Sequence, residues 1–206
     1  MNFIVTFLMG SLLIGCASAP SKRVITPDML SGTPTKDAEK LKESLTVGTY
    51  QGTAGYSAEV MLFTEPVLIA MNEAKGKANL DSQDKIKKET AKDVEELTKK
   101  KTCFLVKVHT YDLQRSKFTN WVGKVTDIKN EVYDITFLNT YGYNSIPEYF
   151  TDMQGRTWHN ISVGCSKKID TSKSFSIHLV PQIKNNKGND ESSKLDFVIN
   201  DKVAAN

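Results

Sequence analysis

The sequence predicts an α+β protein: an antiparallel β-sandwich at residues 102–206, preceded by a helical segment at 35–101. Two observations carry that expectation. From Thr102 onward, apolar residues recur with a period of two in short runs separated by turn residues, the pattern of half-buried antiparallel strands. Between 65 and 100 the apolar spacing is helical instead.

The elements follow in order. Residues 17–34 are interrupted by Pro20, Pro27, Gly32 and Pro34, with Ser and Thr filling the gaps, and read with residue 16 as a flexible tether. Residues 35–45 predict a short helix with Thr35 as N-cap and Ala38, Leu41 and Leu45 on one side. A glycine-rich stretch covers 48–55, and 57–63 predicts a strand. Thr64-Glu65-Pro66 opens a helix, with proline where its missing N–H does no harm; Gly76 is expected to end it. A longer helix at 81–100, opened by Asp81 with Asp84 three residues on, rests a narrow stripe of Ile86, Val94 and Leu97 on the domain. Glu95 with Lys99 and Glu96 with Lys100 form i,i+4 pairs. Lysines 99–101 read as that helix's charged end, where cations suit the dipole.

The strands come next. TCFLVKVHTY places Phe104, Val106 and Val108 on one face, against Cys103, Leu105, Lys107 and His109. Residues 118–127 alternate through Trp121, Gly123 and Val125. Lys129-Asn130 predicts a hairpin turn, since Asn tolerates the left-handed backbone. Residues 131–138 set Tyr133, Ile135 and Phe137 on one face. A turn at 152–155 leads into 156–164, with Trp158 and Ile161 assigned to the core. Phe175, Ile177 and Leu179 alternate next, then a flexible loop at 184–193, then Leu195, Phe197 and Ile199.

Ahead of all this stands an uncharged apolar leader, MNFIVTFLMGSLLIG, followed by Cys16. Its apolar run is too short to span a bilayer, which takes about twenty residues, and fits the apolar region of a signal peptide. Leu13-Ile14-Gly15-Cys16 resembles the lipobox of bacterial lipoproteins. The resemblance implies cleavage between Gly15 and Cys16, so that 1–15 is a signal peptide, and acylation of Cys16. Several acyl chains hold far better than one, at about 0.8 kcal/mol per buried methylene. The implied location is the cell envelope, lipid-anchored to a membrane. In a Gram-negative host Ala17, in place of the Asp that favours inner-membrane retention, is compatible with the outer membrane.

Lys and Arg total 27 against 24 Asp and Glu, a net charge of +3. So small an excess does not point to nucleic acid. With Cys16 acylated, Cys103 and Cys165 remain as a possible disulfide in an oxidising exterior, or as two buried free thiols. The order Cys103, Trp121, Cys165 resembles that of immunoglobulin domains, which implies an immunoglobulin-like architecture for the sandwich.

Catalytic equipment is not recognisable. Gly55-Tyr56-Ser57-Ala58-Glu59 ends in Glu and so departs from the nucleophile elbow. Cys165 with His159 or His178 as base is weaker than Cys165 in a disulfide. His109, His159 and His178 fall on different strands without metal-ligand spacing, so no metal and no cofactor is expected. Glu148 and Asp152 flank Tyr149-Phe150 in a predicted loop without a fixed separation. The surface candidates are Tyr141, Tyr143, Tyr149 and Phe150, loop aromatics able to stack on a glycan or grip an envelope protein. The expectation is a membrane-anchored, non-catalytic binding or assembly accessory. An envelope hydrolase and a carrier of an apolar ligand, lined by Trp121, Trp158 and Phe137, are the alternatives.

Overall fold

A computed structural model describes residues 21–26, 29–30, 38–51, 56–138, 148–152, 155–183 and 192–199. Ten strands are described: β1 Lys22–Ile25, β2 Thr46–Gln51, β3 Tyr56–Leu62, β4 Lys101–Thr110, β5 Trp121–Thr126, β6 Val132–Leu138, β7 Glu148–Asp152, β8 Gly155–Lys167, β9 Phe175–Pro181 and β10 Ser193–Ile199. The helices are α1 Ala38–Ser44, α2 Glu65–Ala78, α3 Gln83–Val94 and the single turn α4 Leu113–Ser116. The protein is mainly β with helices, the α+β class the period change predicts.

The strands form one sheet in the order β1-β10-β9-β5-β6-β8-β4-β3-β2, with β7 also paired to β8. Every pairing is antiparallel except β1 with β10. The long β8 organises it. One edge pairs β4 from Trp158 to Cys165 and on to Lys167; the other carries β7 along 155–159 and β6 along 163–165. From β6 the sheet continues through β5, β9 and β10, and side chains of this half meet those of the first in one core. Phe104 of β4 meets Phe175 and Phe197 of β9 and β10, with ring centroids 6.1 and 6.5 Å apart. Tyr56 of β3 meets Trp121 of β5 edge-on at 5.2 Å. The two ends of the sheet also approach: Arg23 Nε donates to the Thr46 carbonyl across 3.1 Å, and the Tyr56 and Ser193 hydroxyls are 2.7 Å apart.

Alternation explains most of these strands. β9 reads FSIHLVP with Phe175, Ile177, Leu179 and Pro181 buried and the residues between them less so. β3 breaks the rule at its end, where Val60, Met61 and Leu62 are all buried. There both faces are buried, in one cluster that also holds Val67, Leu68, Val94 and Leu97 of the helical segment. One end of the core is closed by the segment 111–120: Trp121 Nε1 donates to the Arg115 carbonyl, Asn160 Nδ2 to the Ser116 carbonyl, and the buried Arg115 guanidinium lies 5.3 Å from the Tyr56 ring centre.

Several expectations are corrected. The tether assigned to 16–34 contains β1, because Arg23 and Val24 pair with Phe197 and Val198 and Ile25 is fully buried. The glycine-rich stretch begins as β2, hydrogen-bonded to β3 along its length. The mixed segment 35–101 contributes β2 and β3, the latter the strand expected at 57–63, to the same sheet, and α2 and α3 stand between β3 and β4. The 148–152 backbone, expected as loop, is β7. Asn130 does take the left-handed conformation in the β5–β6 turn, with φ of 63°.

The helical hairpin departs in detail. Thr64 caps α2 through the Val67 N–H, and Pro66 occupies the first turn as expected. Gly76 does not end the helix. The left-handed position is taken by Leu80, at φ 57°, where the Asp81 N–H donates to Gly76 and that of Leu80 to Lys77. Gly76 serves close approach instead: a Cβ there would lie 2.3 Å from Ile86 Cγ1 on α3. Ser82, not Asp81, caps α3 by accepting from the Lys85 N–H. The predicted 81–100 helix changes at Glu95–Lys99 into a π-helical turn, closed by the Lys100 N–H donating to Glu95. The widened turn brings Lys100 to Glu95 at 3.8 Å, although the i,i+4 rule pairs it with Glu96.

Candidate functional site

The β4–β8 register decides which polar side chains meet. Cys103 lies directly opposite Cys165, and the two are joined by a disulfide with Cα atoms 4.1 Å apart. Both are buried. The Cys165 thiol is therefore unavailable as a nucleophile. Moving outward from the disulfide in either direction, the same register sets Lys101 opposite Lys167 and His109 opposite His159.

At the lysine end, β4 begins one residue beyond the π-helical turn and β8 runs out into Lys168. Lys100, Lys101, Lys167 and Lys168 line a groove of about 510 Å³ with Asp134, Thr136, Leu138, Cys165 and Ser166. Lys101 and Lys167 are exposed. Lys167 Nζ sits 5.5 Å from the centre of the Tyr133 ring, and Lys168 Nζ donates to the Thr98 carbonyl. Burial holds the Lys168 ammonium below the ordinary lysine range, with Asp170 opposing the shift. Lysines 99–101 were expected as a helix end. Lys101 instead starts β4, and the companion pair on β8 was not singled out at all.

At the histidine end, the His109 and His159 rings lie against each other with centroids 3.6 Å apart and planes inclined by 33°, and His159 Nε2 is 3.1 Å from the Thr157 hydroxyl. Ser57 of β3 stands opposite His109, and Glu148 of β7 opposite His159 in backbone register. His178 lies on β9 in the other half, opposite Lys124 and Lys194. The three histidines are thus an adjacent pair and a distant third. Among the described residues, no group of three His, Cys, Asp or Glu side chains is placed to hold a metal ion.

The remaining predicted site residues divide by position. Gly15, Cys16, Tyr141 and Tyr143 lie outside the described residues. Tyr149 and Phe150 are on β7, opposite Trp158 and Thr157, with only their backbone described. Trp158 and Ile161, assigned to the core, are half-buried; Asn160, Ser162 and Val163 are the buried residues of that stretch. Trp121 is buried, and Phe137 packs on Phe118 at 4.9 Å and against Gly123 and Gly164. No helix among the described residues is long and apolar enough to cross a membrane.

No protein-family model matches the chain, and no curated protein matches it. Among solved structures, the chain is similar to a DUF4426 family protein from Pseudomonas aeruginosa at 6% identity. The match covers 74% of this chain and 92% of the other, with a TM-score of 0.32. So loose a likeness bears on neither fold nor function.

Proposed function

We propose that this chain is a lipid-anchored protein of the bacterial cell envelope, cleaved before Cys16, whose folded part acts as a non-catalytic binding or assembly accessory. The observation that carries the reading is the leader ending in Leu13-Ile14-Gly15-Cys16. The bond between Cys103 and Cys165 supports the same compartment, because structural disulfides persist outside the reducing cytosol. In a Gram-negative host, Ala17 fits export to the outer membrane. The finer architecture belongs to this reading too: an immunoglobulin-like sandwich whose two halves share the Phe104–Phe175–Phe197 core while remaining joined through β6.

The alternatives have less support. A thiol hydrolase at Cys165 lacks its thiol, and His178 is on the other half of the sheet. A carrier needs a hollow interior, whereas Trp121 and Phe137 are packed against neighbouring rings and glycines. The test is a Cys16→Ser variant expressed in a bacterium with the lipoprotein pathway. The proposal expects loss of cleavage before residue 16 and loss of acyl incorporation. Normal cleavage and unchanged membrane fractionation would overturn it.

A further inference from the structure

We propose that the groove between the π-helical turn and the ends of β4 and β8 binds a phosphate-bearing anion through Lys100, Lys101, Lys167 and Lys168. The inference rests on these four positions and not on the lipid anchor. Lys101 stands directly opposite Lys167, and like charges in that relation destabilise a sheet. Both side chains are exposed; Lys167 has the Tyr133 ring as a neighbour, and burial demands lysine at neither position. The π-helical turn sets Lys100 beside them, and Lys168 follows on the other strand. Such turns recur at functional sites.

The opposing charge is thin. Asp134 is the one carboxylate among the described residues that line the groove. Glu95 reaches Lys99 and Lys100 only at 4.0 and 3.8 Å, with exposed partners on both sides, and exposed pairs of that kind hold weakly. Lys168 has Asp170 nearby and donates to the Thr98 carbonyl. A phosphate group suits this arrangement better than a carboxylate. It carries up to two charges and several acceptor oxygens, so one ligand in the groove can neutralise lysines contributed by both strands and by the π-helical turn, each acting as a point charge. The Thr136 side chain lines the same groove, whose volume falls within the range of small-ligand sites.

The test uses the full mature chain at low ionic strength, titrated with inorganic phosphate and, separately, sedimented with vesicles of phosphatidylglycerol or of phosphatidylcholine. Phosphate is expected to bind and to raise the thermal midpoint. Lys101→Gln with Lys167→Gln weakens that binding on the order of tenfold, the scale of two lost charge-assisted contacts. The same double variant melts higher than the parent in phosphate-free buffer, because a repulsion has been removed. Preference for phosphatidylglycerol, lost in the double variant, assigns the phosphate to a lipid headgroup; phosphate binding without that preference assigns it to a soluble ligand. An acyl anchor contributes equally to both vesicles. Undiminished binding in the double variant, or an equal loss in the charge-matched control Lys87→Gln with Lys92→Gln on exposed α3 positions, would overturn the proposal.

Discussion

Cys103 and Cys165 occupy directly opposed positions on β4 and β8, and their bond ties together the two longest strands described. The residues between them number about sixty, so the chain-entropy description assigns the cross-link about 4 kcal/mol of restriction on the unfolded chain. Reduction is expected to lower stability by that order, read from denaturant midpoints with and without reductant. An unchanged midpoint would mean that the bond does not form in the folded protein.

The adjacent imidazoles are expected to couple. Cross-strand pairs contribute roughly 0.2–1 kcal/mol. A double-mutant cycle on His109→Ala and His159→Ala should return an interaction energy within that range. Strict additivity would show that the ring contact contributes nothing to stability.

Leu80 gives a prediction opposite in sign to the usual cost of losing an apolar side chain. It is 92% exposed, so it buries almost nothing, and its φ of 57° is costly for a residue with a Cβ. Leu80→Gly is expected to stabilise the protein by about 1 kcal/mol, with Leu80→Asn gaining less. A lower thermal midpoint for Leu80→Gly would contradict the assigned helix ending.

Gly76→Ala tests the hairpin from the other side. Its new methyl would meet Ile86 Cγ1 at 2.3 Å, an overlap that costs about 1–3 kcal/mol unless α2 and α3 separate. Combining it with Ile86→Ala should recover part of the loss. No recovery would place the cost elsewhere.

Tyr133 offers a titration. The Glu131 carboxylate accepting its hydroxyl proton pushes the phenol up to about 12 from the ordinary 10.0. Glu131→Gln should bring the absorbance titration of this tyrosine back toward 10. Because the phenol's pKa is higher in the folded protein, its contribution is present below pH 10 and lost as the pH rises toward 12, so Glu131→Gln should remove that alkaline component of the pH–stability profile.

Where the sequence pattern sufficed, one periodicity was carried by enough residues. β5 and β9 bury every second residue, as do β4 beyond Cys103 and β10 up to Phe197, and these inner faces were legible from alternation alone. β8 was not, because its buried positions include Asn160, Ser162 and Gly164. The polar groups are satisfied locally, by Ser116 and Leu138 carbonyls, and the glycine makes room for Ile135 and Phe137, so the strand reads as polar while being buried. β1, β2 and β7 are short and lack apolar alternation; they exist because a neighbour supplies their hydrogen bonds, which no local pattern announces.

The lysine and histidine pairs were legible in principle. Lys101 lies two residues before Cys103 and Lys167 two after Cys165; His109 lies six after and His159 six before. An antiparallel pairing of the cysteines puts both pairs opposite each other at once. What the sequence withheld was the pairing itself, since a disulfide can join segments of any relative direction.

The central claim is export and acylation at Cys16, and the most direct measurement is the intact mass of the N-terminal peptide of the protein extracted from bacterial membranes. The expected peptide begins at Cys16 and carries diacylglycerol on its sulfur. A peptide beginning at Met1, or one beginning at Cys16 with an unmodified thiol, would contradict it.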